Sequence, residues 1–231
     1  MISDLRRRLR FSAEPDPVPP TAAPMIEPTR EPIEIELAAY AEDCRIFGFV
    51  LVDTDRLTDY LNQRERYELR DVLVVALEDG RASEAKTLIV ERGELLAVRA
   101  SGPRGNANRR GRTRPYPVTL QTGPYTVRGH LHGLPGGDPI MQLRRRRPMV
   151  ALTESWIEYL SEGESHRGRV GTIIVNREVI DWIHLSGDGE DWLPDLPIET
   201  RPDLRADPLA KDLTGHIWTT PQQTDHSGNN R

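Results

Sequence analysis

Apolar and polar residues alternate along Cys44-Arg45-Ile46-Phe47-Gly48-Phe49-Val50-Leu51, so Cys44, Ile46, Gly48 and Val50 share one face. The pattern returns 81 positions later, where Tyr125, Val127, Gly129 and Leu131 share a face of the segment 125–132. A period of two predicts a strand in each place. Gly48 and Gly129 fall in mid-strand, where glycine marks a bulge or a close backbone approach. Further on the offset becomes 83: residues 69–80 correspond to 152–163, each a strand running into a Gly-containing turn. At an offset of 85, residues 87–92 correspond to 172–177, and short apolar strands at 94–98 and 178–183 close the two segments. The drift implies two small insertions in the second copy, placed in turns that tolerate them.

Between the first two strands of each copy the period changes. Asp55 precedes Leu57, Tyr60 and Leu61, whose i, i+3, i+4 spacing predicts a short helix with one buried face and Asp55 as its cap. In the second copy Asp138-Pro139-Ile140-Met141-Gln142-Leu143 places Pro at the first helical position after an Asp cap. The expected unit is β–α–β–β–β, and it occurs twice. The fold class is therefore mainly β with short helices (α+β), two tandem units packed as an intramolecular pseudo-dimer. One copy alone has a small core, and four strands leave unpaired edges. Pairing between copies covers some of those edges, and oligomerisation can cover the rest.

The segment Arg56-Leu57-Thr58-Asp59-Tyr60-Leu61-Asn62 and the later Thr172-Ile173-Ile174-Val175-Asn176-Arg177-Glu178-Val179-Ile180 resemble a small uncharacterised bacterial β-domain. In that family an Arg-Leu-x-Asp-aromatic-Leu-Asn turn precedes a strand pair, and a Val-Asn-basic-x-x-Ile segment ends the unit. The resemblance covers each repeat, and the second copy matches the first motif only in pattern. It implies the fold and no activity.

Composition sets the boundaries. Residues 1–32 carry Pro at 15, 17, 19, 20, 24, 28 and 32 with few large apolar residues, and residues 191–231 are rich in Pro and Asp. Both are expected to be unfolded tails, because such segments bury too little to offset their chain entropy. Residues 101–117 hold five Arg and no acid among Gly, Pro and Asn, the composition of a linker. That leaves 33–100 and 118–190 as the two β units. The longest apolar run, 72–77, is far too short for a membrane helix. The lone cysteine excludes an internal disulfide framework, and no basic start precedes an apolar signal segment, so a cytoplasmic protein is expected.

Charge adds one feature. The two flanks are acidic, the middle is mildly basic, and only Lys86 and Lys211 among the 31 basic residues are lysines. Arg104, Arg109, Arg110, Arg112 and Arg114 crowd the linker, and Arg144, Arg145, Arg146 and Arg147 follow the second helix. Around 109–115 the linker resembles an Arg-Gly-Arg-Pro minor-groove hook interrupted by Thr113. The two clusters could form one patch that neutralises phosphates and releases counterions.

Other chemistry is sparse. Cys44 is expected on an inward face as a small hydrophobe. His130 and His132, two apart on a strand, are candidate metal ligands, but no third ligand of the right type is adjacent. Gly187-Asp188-Gly189-Glu190-Asp191 lacks the spacing of a calcium loop and reads as an acidic turn. No phosphate loop, nucleophile elbow or zinc-protease helix occurs. The expected protein is not an enzyme and needs no cofactor. It is an adaptor or assembly protein that binds a protein partner or itself through strand edges and a basic patch. Nucleic-acid binding through the arginines is the alternative. A third reading is a membrane-associated scaffold tethered by the amphipathic segment 1–11.

Overall fold

A computed structural model of the chain describes residues 31–102 and 111–187. Residues 1–30 of the expected N-terminal tail with the segment 1–11, the linker residues 103–110 with Arg104, Arg109 and Arg110, the acidic turn beyond Gly187 and the expected C-terminal tail lie outside the described residues.

Among the described residues, ten antiparallel strands form a single sheet. The first half contributes β1 (Ile33–Tyr40), β2 (Cys44–Val52), α1 (Leu57–Gln63), β3 (Arg66–Ala76), β4 (Ala82–Glu91), a 3-10 turn (Arg92–Glu94) and β5 (Ala97–Arg99). The second contributes β6 (Arg114–Thr122), β7 (Tyr125–Gly133), α2 (Pro139–Arg144), β8 (Met149–Ser161), β9 (Glu164–Asn176), a 3-10 turn (Arg177–Val179) and β10 (Trp182–Leu185). The strand order is β10-β6-β7-β8-β9-β5-β1-β2-β3-β4. The protein is thus mainly β with few short helices, as the alternation predicts.

Each half has one strand more than the β–α–β–β–β expectation, and both additions come first. In β1, Glu34 and Glu36 alternate with Ile33, Ile35 and Leu37, a pattern hidden by its position directly after the Pro-rich stretch. In β6 the strand begins at Arg114, inside the stretch read as linker, because Pro115 and Pro117 suggest a break. Geometry removes the conflict. The carbonyl of Pro117 accepts from the Ser186 N–H at 3.0 Å, so its ring nitrogen also faces the β10 side. Pairing with β10 starts only at Val118, and the ladder to β7 loses nothing.

The mid-strand glycines do what the alternation suggests, with the extra residue on the facing strand. Phe47 pairs with Leu73 but Phe49 with Arg70, and Arg128 pairs with Trp156 but His130 with Thr153. Asp71 and Glu154 take up the surplus in left-handed backbone, at φ 47° and 50°. A β-carbon on Gly48 would lie 3.0 Å from the Arg70 carbonyl oxygen, and one on Gly129 3.0 Å from Leu152 Cβ. Glycine is what lets the strands approach here.

The helices form on the predicted faces. Leu57, Tyr60 and Leu61 of α1 are buried, but its cap is Arg56 and no side chain caps it, so Asp55 does not play that part. Asp138 does cap α2, accepting from the N–H groups of Ile140 (2.8 Å) and Met141 (3.3 Å).

Among the described residues two large apolar cores result, each borrowing from the other half, beside a small cluster of Ala38, Phe47, Leu73 and Val75. The first gathers Leu37, Val50, Leu61, Leu69 and Val98 with Met149 and Ile174. The second gathers Leu120, Val127, Leu131, Ile157 and Ile173 with Tyr40 and Leu96. The seam between halves is the β5–β9 pairing, Ala97 with Val175, Val98 with Ile174 and Arg99 with Ile173. Asn62 pins it: its Nδ2 donates to the Met149 carbonyl at 2.8 Å, and its Oδ1 accepts from the Met149 N–H at 3.0 Å. Tyr40 and Tyr125 meet edge to face across the same seam, 5.3 Å between centroids.

Candidate interaction surfaces

Among the described residues, Arg112 and Arg114 of the first basic cluster and the 144–147 turn lie at one end of β7, though not as a uniform patch. Arg114 pairs with Gly133 and Pro115 with His132. The guanidinium of Arg146 donates to the His132 carbonyl, which brings the 144–147 turn to the same end. Arg112, Arg114, Arg145 and Arg147 are exposed there, and Arg114 lies over the Tyr116 ring at 5.7 Å. Arg146 differs. It is half-buried, its carbonyl accepts from Arg177 Nε at 2.6 Å, and desolvation lowers its pKa below the ordinary arginine value. Arg146 thus holds the turn in place, and Arg144 faces elsewhere, into a groove described below.

His130 and His132 do point to one side of β7, as their spacing requires. Each is engaged by β8: His130 Nδ1 lies 3.0 Å from Glu154 Oε2, and His132 Nε2 lies 2.8 Å from Thr153 Oγ1. Glu154 reaches His130 because the bulge places it there. No cluster of three His, Cys, Asp or Glu side chains suited to a metal occurs among the described residues.

Cys44 is partly buried at the start of β2. Burial, then the neighbouring charge of Asp43 and the hydrogen bond to it, with Glu94 beyond, push its thiol from 9.0 to about 12. A neutral thiol is a poor nucleophile. Native protein is therefore expected to resist iodoacetamide at pH 8 and to alkylate fully once denatured, as read by mass spectrometry. Above pH 9 the unfolded chain ionises this thiol and the folded chain does not. Its contribution therefore lowers folding stability as pH rises from 9 towards about 12.

The two ends of the sheet form a further surface, which pattern reading alone did not locate. β4 and β10 each have a neighbour on one side only among the described residues. Both carry apolar side chains in solvent: Ile89 is 65% exposed, Trp182 47% and Leu185 48%. Beside β10 lies a groove of about 370 Å³, lined by Ile140, Leu143 and Arg144 of α2 and by Ile180, Trp182 and Ile183. The available signal was the run Leu88-Ile89-Val90, continuous in apolar residues where a strand with one solvated face would alternate.

Among the described residues no helix is long and apolar enough to cross a membrane. Comparison of the chain with protein-family models, with curated proteins and with solved structures finds no match in any of the three.

Proposed function

We propose that the chain is two tandem copies of one β unit, packed as an intramolecular pseudo-dimer, and that it serves as a non-catalytic cytoplasmic assembly protein. It binds a macromolecular partner through the outer edges of the sheet, with the basic end of β7 as an accessory surface. The identical strand order of the halves, β5-β1-β2-β3-β4 and β10-β6-β7-β8-β9, supports the duplication. So do the matching bulges at Asp71 and Glu154, 83 positions apart.

The observation that carries the function is the pair of end strands, each with a large apolar side chain in solvent among exposed polar residues such as Glu84, Lys86 and His184. Strand edges in proteins that act alone are commonly blunted by charge, proline or a covering element. Here Ile89 and Trp182 stand in solvent on the two end strands. A photo-cross-linking amino acid at either position is expected to trap a partner in the cells that make the protein. The same group at Leu134 or Leu160, equally exposed at 64% and 63% but away from the sheet ends, is expected to trap none.

A second reading, nucleic-acid binding, is favoured by the position of Arg112 and Arg114 at the same end of β7 as the 144–147 turn. Fluorescence anisotropy with labelled DNA and RNA tests it. If it holds, changing Arg112, Arg114, Arg145 and Arg147 to Ser lowers affinity at least tenfold and flattens the salt dependence by roughly three to four in log–log slope. Arg146 is left in place because its role is in the fold.

A further inference from the structure

The seam inside the chain is a template for a contact outside it. At the seam β9 of the second half meets β5 of the first, and Ile174 enters the first half's core beside Val98. The 85-residue offset relates β9 to β4 and β5 to β10, so each partner at the seam has a counterpart at a free end of the sheet. Ile174 corresponds to Ile89, Val98 to Ile183, and Ala97 to Trp182. Ile174 is fully buried, whereas Ile89 is 65% exposed. The space corresponding to the one that Ile174 fills is the groove beside β10, where Ile140, Leu143, Ile180 and Ile183 are joined by Arg144, Arg177 and Asp181. Among the described residues, the chain thus carries an exposed apolar knob at one end of its sheet and an open groove at the other.

We propose that copies of this chain associate head to tail, β4 of one pairing antiparallel with β10 of the next, and Ile89 of the first filling the groove between α2 and β10 of the second. The inference rests on the duplication and edge-docking reading above and names the partner. Shifting the seam register by 85 gives the contact: Val90 opposite Trp182, Ile89 opposite Ile183, Leu88 opposite His184. One bond has to be exchanged. The Glu91 N–H donates to the carboxylate of Glu94 at 2.7 Å, while its counterpart, the Asn176 N–H, donates to the Leu96 carbonyl at 2.9 Å. On docking, the carbonyl of Asp181 in the next copy takes the place of Glu94, whose carboxylate returns to water. Because knob and hole lie on different surfaces, the contact is heterologous, and repetition builds rings or filaments rather than a two-fold dimer.

Sedimentation velocity of the full chain tests this. The wild type is expected to form oligomers that grow with concentration and persist in about 0.5 M salt, since apolar burial is not screened. Ile89→Asp and Trp182→Asp, both at exposed positions and therefore folded by circular dichroism, are each expected to weaken association about 100-fold or more and to sediment as monomers. Ile89→Val retains the oligomer. Mixed one to one, the two Asp variants give a dimer and nothing larger, because each keeps the surface the other has lost. A monomeric wild type, oligomers indifferent to both substitutions, or failure of the mixture to dimerise overturns the head-to-tail contact. The edge cross-links separate the two readings. Edge adducts to a different protein, or to residues 188–231 of the same chain, overturn self-association alone. No adduct at either edge overturns the docking reading as well.

Discussion

Replacing Gly129 with Val is expected to cost about 3 kcal/mol and to lower the melting temperature by roughly 6–12 °C, if the variant accumulates folded at all. Gly129 is buried on the inner face of β7, and the strand it faces gains a residue at that point. A β-carbon there meets the Ser155 side chain and comes within 3.0 Å of Leu152 Cβ, and Leu152 has no solvent-exposed surface. Ser155 can rotate aside, so Gly129→Ala should cost less, about 1–2 kcal/mol. Valine adds two methyl groups for which the core has no room. At Gly48 the nearest atom is the Arg70 backbone oxygen, which cannot turn away, so alanine alone should be costly. Thermal denaturation of the three variants checks the ranking. An unchanged melting temperature for Gly129→Val would mean that the strands are not in close approach.

Asn62→Leu is expected to have the second-largest effect, about 2–3 kcal/mol, through a different cause. Leucine matches the shape of asparagine but offers neither donor nor acceptor. Met149 is 2% exposed, and its N–H and carbonyl both turn away from β9 towards Asn62. Removing their partner leaves two buried backbone groups without hydrogen bonds, each costing about 1–3 kcal/mol. Asn62→Asp keeps an acceptor for the N–H and loses the donor to the carbonyl, so it should fall between wild type and Leu. Urea denaturation with an unchanged slope would place the loss in the native seam rather than in the unfolded ensemble. If Leu and Asp were equally mild, Asn62 would not be what holds α1 to β8.

These two positions also show how far the sequence could be read. Gly48 and Gly129 stood out because they recur at the same point of two alternating strands, and a period-two signal is local. α1 and α2 were legible for the same reason, since spacing is settled within one turn, although only the cap of α2 could be read and Asp55 does not cap α1. Asn62 carried no such mark. Its importance comes from Met149, 87 residues away, and no local pattern reports a contact of that range. β1 and β6 were missed where composition overruled alternation: Pro-rich neighbours concealed the first, and Pro115 and Pro117 made a strand look like linker. Arginine spacing raised the expectation of a basic surface but could not tell that Arg146 would turn inward to the His132 carbonyl and Arg144 towards β10. The edges escaped because whether Ile89 is buried depends on which strand lies beside it, and strand order is a property of the whole sheet.

The borrowed core residues make the two halves a single thermodynamic body. Met149 and Ile174 complete the first core, while Tyr40 and Leu96 complete the second. If one half loosens, the other loses part of its interior as well as a neighbour. Cooperativity therefore extends across the chain even though each half closes its own hairpins. Such an arrangement gains stability and gives up independence, since neither half retains a complete interior once the seam is open.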